Sequence, residues 1–274
     1  MHEPIVERIP IILYRGLVYG VGGLAMIYLT APIAIALAMS FTDGQTLRFP
    51  PQGFSLRWYI ALLDPIVSST EHIAAFNSLK IAVLAVVGSL LFAVPASLGM
   101  ARLRGRSANF VEPLLLAPLV LPSLVYGLAA LVVANFVGIR PSLWLTVVGH
   151  VVVFGPLMYR AAAVVAQGID PSLEEASTTL GASALTTLRR VTLPLLVPGI
   201  LAGAFLVFIE SLDNVSISLF LADPQTTVLP LRMFALIEES LDPRVAAMSG
   251  ILIAVTLAGL VVGRRLLGVS RPRS

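Results

Sequence analysis

Cysteine is absent from the 274 residues, which excludes disulfides, thiolate metal sites and cysteine nucleophiles. Lysine occurs once, as Lys80 between Leu79 and Ile81. A phosphate-binding loop ending in Gly-Lys-Ser or Gly-Lys-Thr needs a lysine that follows glycine, so the chain is not a standard P-loop ATPase. Charge is scarce too: 12% of residues are charged, against about 25% in ordinary soluble domains. A chain so depleted cannot clothe a water-facing surface. With 57% hydrophobic residues and a mean hydropathy of +0.94, it takes the bilayer as its solvent and membrane lipids as its first partner. The formal net charge of +3 is too mild to suggest nucleic acid.

Crossing about 30 Å of hydrocarbon takes roughly 20 mostly apolar residues. Six such runs, at about 17–40, 79–100, 113–136, 143–166, 199–222 and 245–267, predict an all-α, polytopic membrane protein with six transmembrane helices. The first run is too long for the apolar core of a secretory signal and reads as an uncleaved span. Lys and Arg in the short loops set orientation. Twelve lie on one side (Arg8, Arg15, Arg102, Arg104, Arg106, Arg160, Arg189, Arg190, Arg264, Arg265, Arg271, Arg273) and six on the other (Arg48, Arg57, Lys80, Arg140, Arg232, Arg244). Both termini are therefore expected in the cytoplasm. The division expected is a cytoplasmic segment 1–16, a six-helix transmembrane domain 17–267 whose cytoplasmic loop covers 167–198, and a cytoplasmic tail 268–274. Prolines 32, 95, 118, 122 and 156 fall within spans, where each removes a backbone hydrogen bond. They read either as packing irregularities or as the joints of a bundle that flexes around a pathway.

The loop between spans four and five is the most patterned stretch. Ser172 followed by Glu175 has the spacing of a capping box, which predicts a helix start, and Gly181 can end that helix in a left-handed conformation. A second helical stretch is expected over about 182–190, with Arg189 and Arg190 in its last turn, before Leu193-Pro194 breaks the pattern. The expectation is two short helices joined at a glycine elbow outside the membrane. Glu175-Ala176-Ser177, three residues, Gly181, nine residues and Val191-Thr192-Leu193-Pro194 resemble the E-A-A-x3-G-x9-I-x-L-P loop of bacterial ABC-importer permeases, departing at Ser177 and Val191. Further stretches are similar to the permeases of spermidine/putrescine importers: Trp58-Tyr59, Asn77-Ser78-Leu79, Pro95-Ala96, the run Ala101 to Gly105, Glu210 to Asn214, Leu229 to Met233 and Asp242 to Ala247.

The resemblance implies a type I ABC-importer permease architecture, of the MetI-like kind, in the bacterial inner membrane. It implies that the loop docks on an ATPase subunit dimer through Glu174, Glu175, Ala176, Gly181, Leu193 and Pro194. A second, paralogous permease subunit and a periplasmic or lipid-anchored solute-binding protein complete the implied assembly. ATP would be bound by the partner, so no cofactor and no enzymatic activity are expected of this chain. The implied cargo is a polyamine such as spermidine or putrescine. Another small organic solute, such as an opine, an amino acid derivative or an aminophosphonate, stays open.

Ionisable residues inside a span normally face a cavity or a partner, because each costs about 2.5 kcal/mol or more at a helix centre. At 100° per residue, Glu210, Asp213 and Asn214 fall on one face of a continuous span five, which suggests a translocation path that compensates ammonium charge. Asn214 stands where the polyamine permeases often carry a second acid. An internal pair with arginine is the competing reading. His150 in span four reads as a hydrogen-bonded packing group, or as the base of an intramembrane serine hydrolase, for which no Gly-x-Ser-x-Gly elbow is present. An ion-coupled secondary transporter would use Glu210 and Asp213 as coupling acids, but no internal repeat supports it.

Overall fold

The computed structural model describes residues 5–103, 105–223 and 225–266, with side chains from Tyr14 onward except Arg106, Arg264 and Leu266. The expected tail 268–274, and Arg104, Arg271 and Arg273 of the orientation argument, lie outside the described residues. Every element of regular structure among those residues is helical, apart from an isolated bridge between Thr42 and Phe54. The order is α1 (Ile5–Ser40), α2 (Arg57–Leu63), α3 (Ser69–Arg102), α4 (Arg106–Val120), α5 (Ser123–Phe136), α6 (Leu143–Gln167), α7 (Pro171–Thr179) and α8 (Ala184–Thr187). A π-helical turn (Leu188–Thr192) then leads without interruption into α9 (Leu193–Leu212), followed by α10 (Ser216–Leu221), α11 (Leu229–Ser240) and α12 (Arg244–Leu266).

Five helical stretches are long and apolar enough to cross a membrane: Tyr14–Ser40, Ser69–Arg102, Leu143–Gln167, Ala184–Leu212 and Arg244–Gly263. The expected single span at 113–136 is instead a bent pair, Ser107–Val120 and Ser123–Phe136, turned by 99°, and six spans result when that pair counts as one. The break has a local cause. Pro122 crowds the residue before it out of the helical region, and Leu121 is extended at φ −73° and ψ 134°. Span two begins ten residues earlier than expected, at Ser69, so Asn77, Ser78 and Lys80 lie within α3 rather than at its mouth. Span five ends at Leu212 and resumes as α10, so 199–222 is not one continuous helix. Leu193-Pro194 does not break the second helical stretch: the helix runs on from Ala184 to Leu212 through the π turn, where the Leu193 N–H donates to the Leu188 carbonyl.

The chain divides into two compact units. One contains α1, the following loop, α2 and residues 236–253. There the indole of Trp58 donates to the Gly44 carbonyl (3.2 Å) and the Tyr59 hydroxyl donates to Ser40 Oγ (2.8 Å). Asp242 accepts from the Arg244 backbone N–H (2.8 Å) and pairs with its guanidinium (2.7 Å), which starts α12.

The other unit covers residues 68–235 and the remainder of α12, and its centre is the packing of α3, α6 and α9. Without a hydrophobic driving force between helices in lipid, close packing depends on small residues at the crossing. On α3 the buried positions include Ala74, Ser78, Ala82, Ala85, Ser89, Ala93 and Ser97. On α9, Gly199 and Gly203 lie one turn apart, and a Cβ at Gly203 would stand 2.7 Å from the Met158 Cα of α6. The α3 end nearest Ser69 is tied to the start of α11. Arg232 pairs with buried Glu71 (3.1 Å), Asn77 Nδ2 donates to the Thr227 carbonyl (3.1 Å), and the Leu229 N–H donates to Ser78 Oγ (2.8 Å).

Candidate functional site

The expected elbow is present. Helix α7 starts at Asp170, whose Oδ1 accepts the Ser172 N–H (2.9 Å), with Pro171 in the first turn. The expected capping box from Ser172 is therefore displaced: Asp170 is the cap, and Glu175 makes no capping bond and is exposed. The hydrogen bonds from Ser172 hold the Asp170 carboxyl below its ordinary value. At the other end Gly181 adopts φ +84°, and the N–H groups of Gly181 and Ala182 return to the carbonyls of Thr178 (2.9 Å) and Ser177 (3.1 Å). Glycine, having no Cβ to crowd against the carbonyl, takes that conformation without strain. Ser183 caps α8, accepting the Thr186 N–H at 3.3 Å.

The loop folds back on its own root. The Glu174 carboxylate, half-buried, accepts from Arg102 Nη2 at the end of α3 (2.9 Å) and from Thr192 Oγ1 in the π turn (2.7 Å). Ser177 and Thr187 hydroxyls meet at 2.9 Å. Glu174 thus fastens α7 to the elements that enter the membrane, while Glu175, Ala176, Leu173 and Leu180 face outward, Leu180 at 88% exposure. Leu173, Ala176 and Leu180 are three and four residues apart, and so form an apolar stripe on one helix face. Leu193 is half-buried and Pro194 exposed at the start of α9. The roles of Arg102 and Thr192 escaped the sequence reading. The signal available was only that Thr192 occupies the variable position of the Val-Thr-Leu-Pro run.

At the far end of α9 the polar residues do not share one helical face. Glu210 is exposed in the last turn, Asp213 is exposed just beyond the helix, and Asn214 Oδ1 accepts the Ile217 N–H (2.8 Å) from the first turn of α10. The break separates what a continuous helix would have aligned. His150 on α6, 1% exposed, bridges it: Nδ1 lies 2.7 Å from Ser211 Oγ on α9, and Nε2 lies 3.4 Å from Ser218 Oγ on α10. This is the packing role expected of a membrane histidine. Ser211 and Ser218, the partners, carry no sequence signal, since isolated serines in an apolar run have many possible neighbours.

The described residues thus form a helical membrane protein that carries a capped, exposed helix beside a glycine elbow. The family profile described as binding-protein-dependent transport system inner membrane component matches residues 93–273, and the chain belongs to that family. It is 29% identical over 239 residues to the spermidine/putrescine transport system permease protein PotC of Escherichia coli K12, covering 86% of this chain and 88% of that one. It is 32% identical over 238 residues to the Haemophilus influenzae protein of the same name, covering 86% and 91%. Among solved structures, a chain of a bacterial alginate ABC transporter in complex with an alginate pentasaccharide-bound periplasmic protein superimposes with a TM-score of 0.66 at 15% identity, over 94% of this chain and 96% of that one. The chain is accordingly the permease subunit of a binding-protein-dependent ABC importer, a multi-pass inner-membrane component and not an enzyme.

Proposed function

We propose that this subunit imports a polyamine, spermidine or putrescine, in an assembly with a paralogous permease, two ATPase copies and a periplasmic or lipid-anchored binding protein. The observation that carries the cargo assignment is similarity over 86% of the chain to permeases named for those solutes. The exposed carboxylates of Glu210 and Asp213 support it, because an ammonium passing a narrow aqueous path needs its charge offset. Within a domain spanning 17–267, flanked by cytoplasmic segments 1–16 and 268–274, the loop 167–198 faces the cytoplasm and meets the ATPase.

The hydrogen bonds of the loop support a lever. Closure of the ATPase dimer, which binds the ATP, pushes on Glu175, Ala176 and the Leu173–Leu180 stripe of α7. Glu174 passes the motion to α3 through Arg102 and to the π turn through Thr192. The 20 residues of α9 make a rod of about 30 Å, which carries the displacement to the break at 213–215. Glu210 and Asp213 stand at that end, beside a joint that His150 holds.

The test is uptake of labelled putrescine and of a neutral solute in proteoliposomes containing the whole complex. Asp213→Asn is expected to lower putrescine uptake severalfold while the complex assembles normally. Unchanged uptake kinetics would remove Asp213 from the path, and a binding protein that holds another solute would redirect the cargo.

A further inference from the structure

Helices α3, α4 and α6 leave a cleft of about 130 Å³, well above the roughly 10–15 Å³ that the centre of one water molecule requires. Two hydroxyls line it, those of Ser89 and Tyr159. Both residues are buried, 0% and 2% exposed, and neither hydroxyl has a hydrogen-bond partner among the described residues. Glu112 on α4 neighbours Tyr159 and competes for its hydroxyl proton, which leaves the hydroxyl oxygen to accept from the cleft. The same cleft is lined by Val152 and Pro156. Pro156 has no N–H to give the carbonyl one turn back, which is that of Val152. Gly155 also borders the cleft, where a Cβ would come into ordinary contact with Ser89 Oγ at 3.6 Å.

Unmet hydroxyls and a released carbonyl at membrane depth are tolerated only where water or protein completes them. Two hydroxyls can each donate and accept, whereas the carbonyl only accepts, so the fitting occupant is small and both donates and accepts. We propose that the cleft is a site for ordered water that joins Ser89, Tyr159 and the Val152 carbonyl. The water completes the hydrogen bonding that Pro156 interrupts. It thereby lets α6 carry a proline at membrane depth without exposing bare backbone to lipid. This site is independent of the cargo.

The experiment is pulsed hydroxyl-radical labelling in ¹⁸O-enriched water, applied to the complete transporter in lipid nanodiscs. Tyr28, 79% exposed within α1, is the reference of identical chemistry. Ordered water beside Tyr159 predicts oxidation of Tyr159 several-fold faster than Tyr28, the reverse of the order that exposure alone predicts. Equal or slower oxidation of Tyr159 in the wild-type complex overturns the proposal. Ser89→Val, which fills the cleft and removes one hydroxyl, is expected to bring Tyr159 down to the Tyr28 rate. Persistence of fast labelling in that variant would also overturn it.

Discussion

The chain breaks on either side of α9, at the Gly181 elbow and at residues 213–215, and the two breaks are held by opposite chemistry. The elbow uses charge: Glu174 meets Arg102 and Thr192 where the Arg102 side chain is 69% exposed. The far break uses neutral groups sealed from solvent, His150 between Ser211 and Ser218. The difference follows from the medium. An ion pair beside water costs little to form and contributes little, typically about 0.2–1 kcal/mol. A charge at membrane depth costs about 2.5 kcal/mol or more, whereas an imidazole and two hydroxyls satisfy one another without net charge. Both breaks nevertheless begin the next helix in the same way, with a side-chain oxygen, Ser183 or Asn214, accepting a backbone N–H three residues on.

The largest effect is expected from dislodging the rod that joins the breaks. Gly203→Val drives side-chain atoms into the Met158 backbone, and overpacking of this kind costs about 1–3 kcal/mol or more. Thermal unfolding of the purified complex should show it, while Gly99→Ala, where a Cβ meets nothing, should leave the midpoint unmoved. Next comes His150→Leu, which costs about 1–3 kcal/mol, nearly all of it from the buried Ser211 hydroxyl at 2.7 Å, because the Ser218 contact is already long at 3.4 Å. The expected outcome is a lowered midpoint that is insensitive to salt.

Gly181→Val acts on the other break. Forcing a β-branched residue to φ +84° costs about 1–3 kcal/mol, so uptake should fall roughly tenfold while ATP hydrolysis by the assembled complex persists. Intact uptake would count against the lever. The smallest effect belongs to Arg102→Ala, about 0.2–1 kcal/mol, read as a twofold to fivefold loss of coupling between hydrolysis and uptake. Raising the ionic strength to about 1 M should weaken the wild-type coupling in the same direction, since the Debye length falls to about 3 Å. An equal response of the His150 joint to salt would erase the distinction between the breaks.

The elbow was legible because its cause is local. A left-handed turn between two helices favours glycine, and Gly181 stands four residues after Ser177 and two before the cap Ser183. The capping assignment missed by two residues, since Asp170 and Ser172 both have the right chemistry and only the backbone trajectory from Gly168 selects between them. The far break was not legible. Residues 199–222 read as one apolar run, and nothing in a short window shows that Asn214 will spend its oxygen on the Ile217 N–H instead of lining a face with Asp213. The bend after Val120 was half visible: Pro122 was noted, but a proline alone does not distinguish a kink from a turn of 99°.

Some family-like stretches, separate in sequence, proved to be partners in space. Asn77 and Ser78 hold Thr227 and Leu229, 150 and 151 residues away. Trp58 and Tyr59 hold Gly44 and Ser40. Their shared presence in the chain is explained by these hydrogen bonds, which a linear reading cannot pair.

Composition by itself determined the solvent, because 12% charge and a mean hydropathy of +0.94 leave no alternative to lipid. Local sterics determined the elbow, because glycine, having no Cβ, is unstrained at φ +84°. Tertiary structure alone decided that Glu174 turns inward to Arg102 and Thr192 while its neighbour Glu175 faces out, and that His150 closes on two serines 61 and 68 residues away. Backbone preferences act over a turn or two of chain, whereas the choice of partner for a buried polar group is made by whichever helices pack around it.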